Sequence, residues 1–182
     1  MIFGRELLSM GIKLAHVVVP LPFGNHRRVL RDWDLYGPLL LCLVLALVLT
    51  IEAPADDGAL VFSGVFVLVW IGAAVVAANT LFLGGTVSIF QSVCVLGYCL
   101  APLDLAALAV YALRILLADW PYLVVVEFPV VFGLGAWACV ASIGFIASLM
   151  PRRRKTRVPL ALFPVVLFYG SIAWLILMMR GT

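Results

Sequence analysis

The sequence is built from apolar runs that are too long and too free of charge for the inside of a small water-soluble domain. They extend over Leu35 to Ile51, about Leu60 to Ala78, Val87 to Leu117, Leu123 to Met150 and Leu160 to Met179. A helix rises about 1.5 Å per residue, so roughly 20 apolar residues cross a hydrocarbon core of about 30 Å. By that measure the first run, reaching about 25 Å, is a little short, and the third is far longer than one straight crossing needs. With 65% of residues hydrophobic, 12% charged and a mean hydropathy of +1.21, a soluble globule is excluded. The chain is expected to be an all-α, polytopic membrane protein.

Charge placement orders these runs across the bilayer. Arg5, Lys13, Arg27, Arg28 and Arg31 precede the first run, and Arg152, Arg153, Arg154, Lys155 and Arg157 lie between the last two. Basic residues are retained on the cytosolic side of a span. Both blocks share that side only if Val87 to Leu117 crosses once. Five transmembrane helices are therefore expected, with the N-terminus cytosolic, the C-terminus lumenal and the second basic block a cytosolic loop. Pro102 and Asp104 interrupt the long run, and a proline there removes a backbone bond and kinks the axis, so the third span is expected to be broken. Residues 1–34 read as a cytosolic segment and 35–182 as the membrane domain. In the former, Glu6, Ser9, Lys13 and His16 recur at helical spacing while Leu8, Ile12, Ala15 and Val19 take another face, the pattern of an amphipathic helix. Glu52 to Gly58 reads as an acidic turn. Asn79 to Ser88 reads as a tight return in which Gly84 and Gly85 permit a backbone that other residues resist.

The boundary of the first span is the densest local signal. In Asp32-Trp33-Asp34-Leu35-Tyr36-Gly37-Pro38 the aromatic rings suit headgroup depth, and Pro38 suits the first turn of a helix, where its missing N–H has no partner to lose. Within the apolar runs stand Asp104, Arg114 and Glu127. Arg114 and Glu127 flank the Trp120-Pro121 turn almost symmetrically, so an antiparallel pair brings them to one depth near the lumenal side. They are expected to pair and fix the hairpin, since an isolated charge at the bilayer centre costs about 2.5 to 3.5 kcal/mol on insertion scales. Asp104 has no obvious partner in sequence. An alternative reading makes these three residues the polar pathway of a small transporter or channel.

Catalytic chemistry finds little footing. No His-Glu-x-x-His, Gly-x-Ser-x-Gly or phosphate-cradling Gly-x-x-x-x-Gly-Lys pattern occurs, and Ser88, Ser92, Ser142 and Ser148 are expected to bond within or between helices. Cys42, Cys94, Cys99 and Cys139 all fall in apolar runs and read as small buried hydrophobes, neither disulfides nor metal ligands. The chain is expected to be no enzyme, to carry no cofactor or metal, and to bind no nucleic acid.

Two blocks taken together carry a resemblance. Arg31 to Pro38 is one; the other is Leu83-Gly84-Gly85, followed by Phe90-Gln91-Ser92 and Cys94-Val-Leu-Gly97-Tyr98-Cys99 to Pro102. The combination resembles the Yip family of five-span membrane proteins of the Golgi and early secretory pathway, and the longer string is similar to the subgroup of the sixth human member. The resemblance runs from about Leu7 into the last span. It implies a non-enzymatic Golgi membrane protein, present also in the endoplasmic reticulum and transport vesicles, that supports vesicle-mediated transport and Golgi organisation. Its implied partners are Rab-type GTPases, other Yip-family members in hetero-oligomers, and membrane lipids. By the same resemblance Asp32, Trp33, Asp34, Leu35, Tyr36, Gly37 and Pro38 match the family's first motif, and Gly97 and Tyr98 match its second.

Overall fold

The computed structural model describes residues 35–54, 56–84, 89–117, 120, 122–149 and 158–179, and among them all regular structure is helical. Six helices follow in order: α1 (Tyr36–Glu52), α2 (Gly58–Phe82), α3 (Ile89–Tyr98), α4 (Ala101–Leu116), α5 (Leu123–Leu149) and α6 (Val158–Met178). Four stretches are long and apolar enough to span a membrane, namely Gly58–Phe82, Ser92–Leu116, Leu123–Ile143 and Pro159–Met178, and α1 adds a shorter apolar helix of 17 residues. The chain is thus a polytopic helical membrane protein. The helices are apolar on every side, as segments facing lipid outside and protein inside must be.

The third span is two helices. α3 ends at Tyr98, the Leu100 N–H bonds the Gly97 carbonyl three residues back at 3.2 Å, and the Leu103 N–H bonds the Leu100 carbonyl at 2.8 Å, which starts α4. The break expected at Pro102 and Asp104 lies just before them, at Cys99 and Leu100. Pro102 itself sits in the first turn of α4, where a residue without an N–H costs nothing, and the carbonyl it would have served is that of Tyr98. The joint is central: in an 18-residue apolar window of Ser92–Leu116, 78% of the residues are buried inside the bundle, against 28% for the corresponding window of α2. α1 packs on α2, α3 and α4, α4 on α5, α5 on α6, and α6 closes back onto α2.

The second span runs further than its composition suggested. Asn79 and Thr80 belong to α2, not to the connection after it: Thr80 Oγ1 donates to the Val76 carbonyl at 2.9 Å, and the Asn79 carbonyl accepts the Leu83 N–H at 3.1 Å. A hydroxyl satisfied by its own helix carries little penalty in an apolar setting. Glu52, likewise, is the last residue of α1 and not part of a turn. Gly84 has φ of 90°, a left-handed conformation that favours glycine, as the sequence suggested. The amphipathic helix expected in the N-terminal segment, Asp32 to Asp34, Gly85, and the basic block Arg152 to Arg157 lie outside the described residues, and the side chain of Gln91 does too.

Candidate functional site

The two strings that stood out in the sequence meet in space. Gly37 and Pro38 open α1, and Gly97 and Tyr98 close α3. A methyl group added to Gly37 would overlap the Tyr98 ring, and one added to Gly97 would overlap the Pro38 ring. Each motif thus contributes one glycine and one ring, and each ring fills the space that the other motif's glycine leaves open. Tyr98 is 2% exposed and packs on Leu41 and Ala101, so its ring has no room to withdraw. Leu35 and Tyr36, by contrast, face outward. Beside the interlock lies a small apolar crevice lined by Pro38, Gly97, Val69, Trp70, Ala73 and Phe168. Its far wall is equally tight, because a methyl on Gly72 would come within 2.6 Å of the Phe168 ring.

The expected pair of Arg114 and Glu127 forms, and it is larger than a pair. Arg114 Nε donates to Glu127 Oε1 at 2.9 Å and Nη2 to Oε2 at 3.2 Å, a fork-on-fork contact. Nη1 donates to the Met179 carbonyl at 2.7 Å and lies 3.0 Å from Glu52 Oε2, an ion pair without hydrogen-bond alignment. One guanidinium therefore joins the end of α1, the last turn of α4, the first turns of α5 and the residue after α6. Glu127 is 1% exposed and Glu52 9%. Glu52 and Met179 were not anticipated. Alternation carries the signal that points to them: the ends of the first, third and fifth spans and the start of the fourth fall on one side of a membrane.

Asp104 is not brought to this cluster. It is 4% exposed, neither carboxylate oxygen has a hydrogen-bond partner, and Arg114 lies ten residues along the same helix, about 15 Å away. Ala107 and Val110, between them, are fully buried. The three intramembrane charges do not line one continuous polar path. Cys42, Cys94 and Cys99 are buried outside any disulfide and Cys139 is half-buried, in keeping with small apolar roles. Ser142 Oγ bonds the Ala138 carbonyl of its own helix at 2.6 Å, the behaviour expected of it. Tyr169 was missed altogether: wholly buried, it donates to the Leu96 carbonyl at 2.9 Å and fastens α6 to the end of α3. Nothing in the sequence separates it from the other tyrosines.

The profile of the Yip1 domain matches residues 17–175, which takes in the interlock, Asp104 and, of the Arg114 cluster, Glu52, Arg114 and Glu127. The chain belongs to the Yip1 domain family. Among its relatives are the protein YIPF6 homolog of Dictyostelium discoideum, 46% identical over 94% of this chain and 88% of its own length, and protein YIPF6 of Homo sapiens, 44% identical over 95% and 71%. Protein YIP4 of Schizosaccharomyces pombe is 38% identical over 94% of this chain and 70% of its own. No solved structure matches. In this member of the Yip1 family, the two strings that stood out in the sequence are therefore halves of one contact, the one that seats the start of the first span against the break in the third.

Proposed function

We propose that this chain is a non-enzymatic Golgi membrane protein that supports vesicle-mediated transport and Golgi organisation by associating with Rab-type GTPases and with other Yip-family members. The observation that carries the reading is the match to the Yip1 domain over residues 17–175 together with relatives named YIPF6 along 94% and 95% of the chain. The geometry is in keeping with it. The interlock of Gly37, Pro38, Gly97 and Tyr98 seats the start of the first span against the end of α3. The N-terminal segment and the block Arg152 to Arg157 share the cytosolic face in this reading. They offer a basic surface whose attraction for a partner governs association rate and weakens with salt.

The test is proximity labelling of the tagged full-length protein in cells, with mass spectrometry read against an unrelated multi-span Golgi protein. Enrichment of Rab-type GTPases or Yip relatives is the expected result. Normal expression in the Golgi with neither enriched overturns the partner reading, and residence in another membrane overturns the Golgi assignment.

A further inference from the structure

The first span is short at one end only. A methyl added to Gly58, the first residue of α2, would stand 3.4 Å from Thr50 Cγ2, so α2 starts level with the last turn of α1. Further along α2, Trp70 lines the crevice beside Pro38, and α2 then continues to Phe82 while α1 has only Tyr36 and Gly37 beyond Pro38. The other spans repeat the step. Gly97 lies against Pro38, and α3 reaches past it to Ile89. Ala141 packs on the cluster of Leu41, Tyr98 and Ala101, and α5 runs on to Leu149; Phe168 lines the crevice, and α6 reaches back to Val158. At about 1.5 Å per residue, four spans overshoot the start of α1 by roughly 10 to 15 Å, all on the side away from the Arg114 cluster.

Sequence holds this step in place. Pro38 has no N–H for the carbonyl of residue 34, so the helix cannot continue upward without losing a bond, and Arg31, Asp32 and Asp34 stand just before Tyr36. The overhanging turns of the other spans, by contrast, carry no Asp, Glu, Lys or Arg, and expose Phe82, Phe90, Leu160 and Phe163. They belong in hydrocarbon. The outward-facing residues give the same measure. On α2 they run from Leu60 to Phe82, about 33 Å, which matches a hydrocarbon core of about 30 Å; on α1 they run from Tyr36 to Ile51, about 22 Å.

Tilting α1 shortens its reach further. Covering its start with flat bilayer or with a second copy strips water from Arg31, Asp32 and Asp34, whereas a bilayer thins around a short span at modest cost. Tyr36, 70% exposed, then has its ring at the lowered headgroup level, where such a side chain is favoured. We propose that the α1 face is a lipid-interaction surface that draws the phospholipid headgroups of one leaflet about 10 Å below their level at α2, so that the protein thins the bilayer on one side. The proposal does not rest on the partner reading above.

The test uses the full-length protein in phosphatidylcholine vesicles, spin-labelled at one introduced cysteine at a time, Tyr36→Cys, Phe82→Cys or Leu160→Cys, with the signal of the unsubstituted protein subtracted. Each label's collisions with apolar oxygen and with a water-soluble nickel chelate report its immersion. The expected result is that the Tyr36→Cys label meets the chelate as readily as the other two, despite its lower place in the bundle. A Tyr36→Cys label that gains oxygen and loses the chelate lies in the hydrocarbon of a flat bilayer, which overturns the proposal. Loss of both collisions overturns it too and assigns the face to a protein cover, a second copy or the chain's own N-terminal segment. Should Tyr36→Cys disturb the interlock, Leu39→Cys read against Phe163→Cys, each one turn further in, makes the same comparison.

Discussion

Gly97 and Gly64 are both glycines in apolar helices, yet alanine at each should act in opposite directions. At Gly97 a Cβ would sit 3.1 Å from Pro38 Cα and overlap its ring, and backbone at a helix start cannot swing aside. Overpacking of this kind costs about 1 to 3 kcal/mol. At Gly64 a Cβ meets nothing within 4 Å, so the reduced freedom of the unfolded chain should stabilise by about 0.5 to 1 kcal/mol. Thermal unfolding of Gly97→Ala and Gly64→Ala in one detergent reads the contrast; equal midpoints would mean the interlock is loose. Tyr169→Phe removes one O–H and leaves the Leu96 carbonyl without that donor, a loss of about 1 to 3 kcal/mol for an unsatisfied buried acceptor. An unchanged midpoint would show that the carbonyl has found another donor. Neither the glycine–ring exchange nor the tyrosine bond could be read from the chain. Each string advertised itself, but the roughly 60 residues between Gly37 and Gly97 carry no mark of which ring faces which glycine.

At the level of helices, the Arg114 cluster ties four spans through one side chain, and its parts were unequally visible beforehand. Arg114 and Glu127 could be paired because a short turn forces neighbours in sequence to be neighbours in depth. Glu52 and Met179 belong to spans that only the finished bundle brings alongside, and a carboxylate at a run's edge reads equally well as part of a turn. The broken third span was legible from Pro102, but the position of the break was not, because a proline dictates which carbonyl goes unserved and packing decides how the chain relaxes around it. The cluster makes a prediction in two parts. Arg114→Met strands two buried carboxylates, and breaking a buried pair this way costs about 3 to 5 kcal/mol. Replacing all three together, Arg114→Met with Glu52→Leu and Glu127→Leu, leaves no uncompensated charge and should recover most of that loss. Unfolding midpoints of the single and triple variants test this. A triple variant no more stable than Arg114→Met would mean that the bundle needs the bonds themselves and not merely neutrality.

For the whole molecule, the count of crossings fixes which faces share a side. With the shorter apolar α1 taken as a crossing beside α2, the α3–α4 pair, α5 and α6, five passes are expected, which place the segment before α1 and the loop between α5 and α6 on one side, opposite the α1–α2 connection. Charge then chooses the side: Arg27, Arg28 and Arg31 precede the first pass and Arg152 to Arg157 follow the fourth, whereas Asp56 and Asp57 occupy the first connection. Basic loops stay cytosolic and acidic ones contribute little. The expected outcome is specific for sealed Golgi vesicles treated with a membrane-impermeant maleimide. Lys155→Cys should label from outside, and Asp57→Cys should label only after the vesicles are opened. The native thiols give little background, because Cys42, Cys94 and Cys99 are buried and Cys139 lies half-buried within an apolar helix. A single extra crossing in the long third segment would move Lys155 to the inside without moving Asp57. Protection of Lys155→Cys with Asp57→Cys also protected would therefore overturn the one-pass reading of the broken span, and the reverse labelling of both would overturn the orientation while leaving the five passes intact.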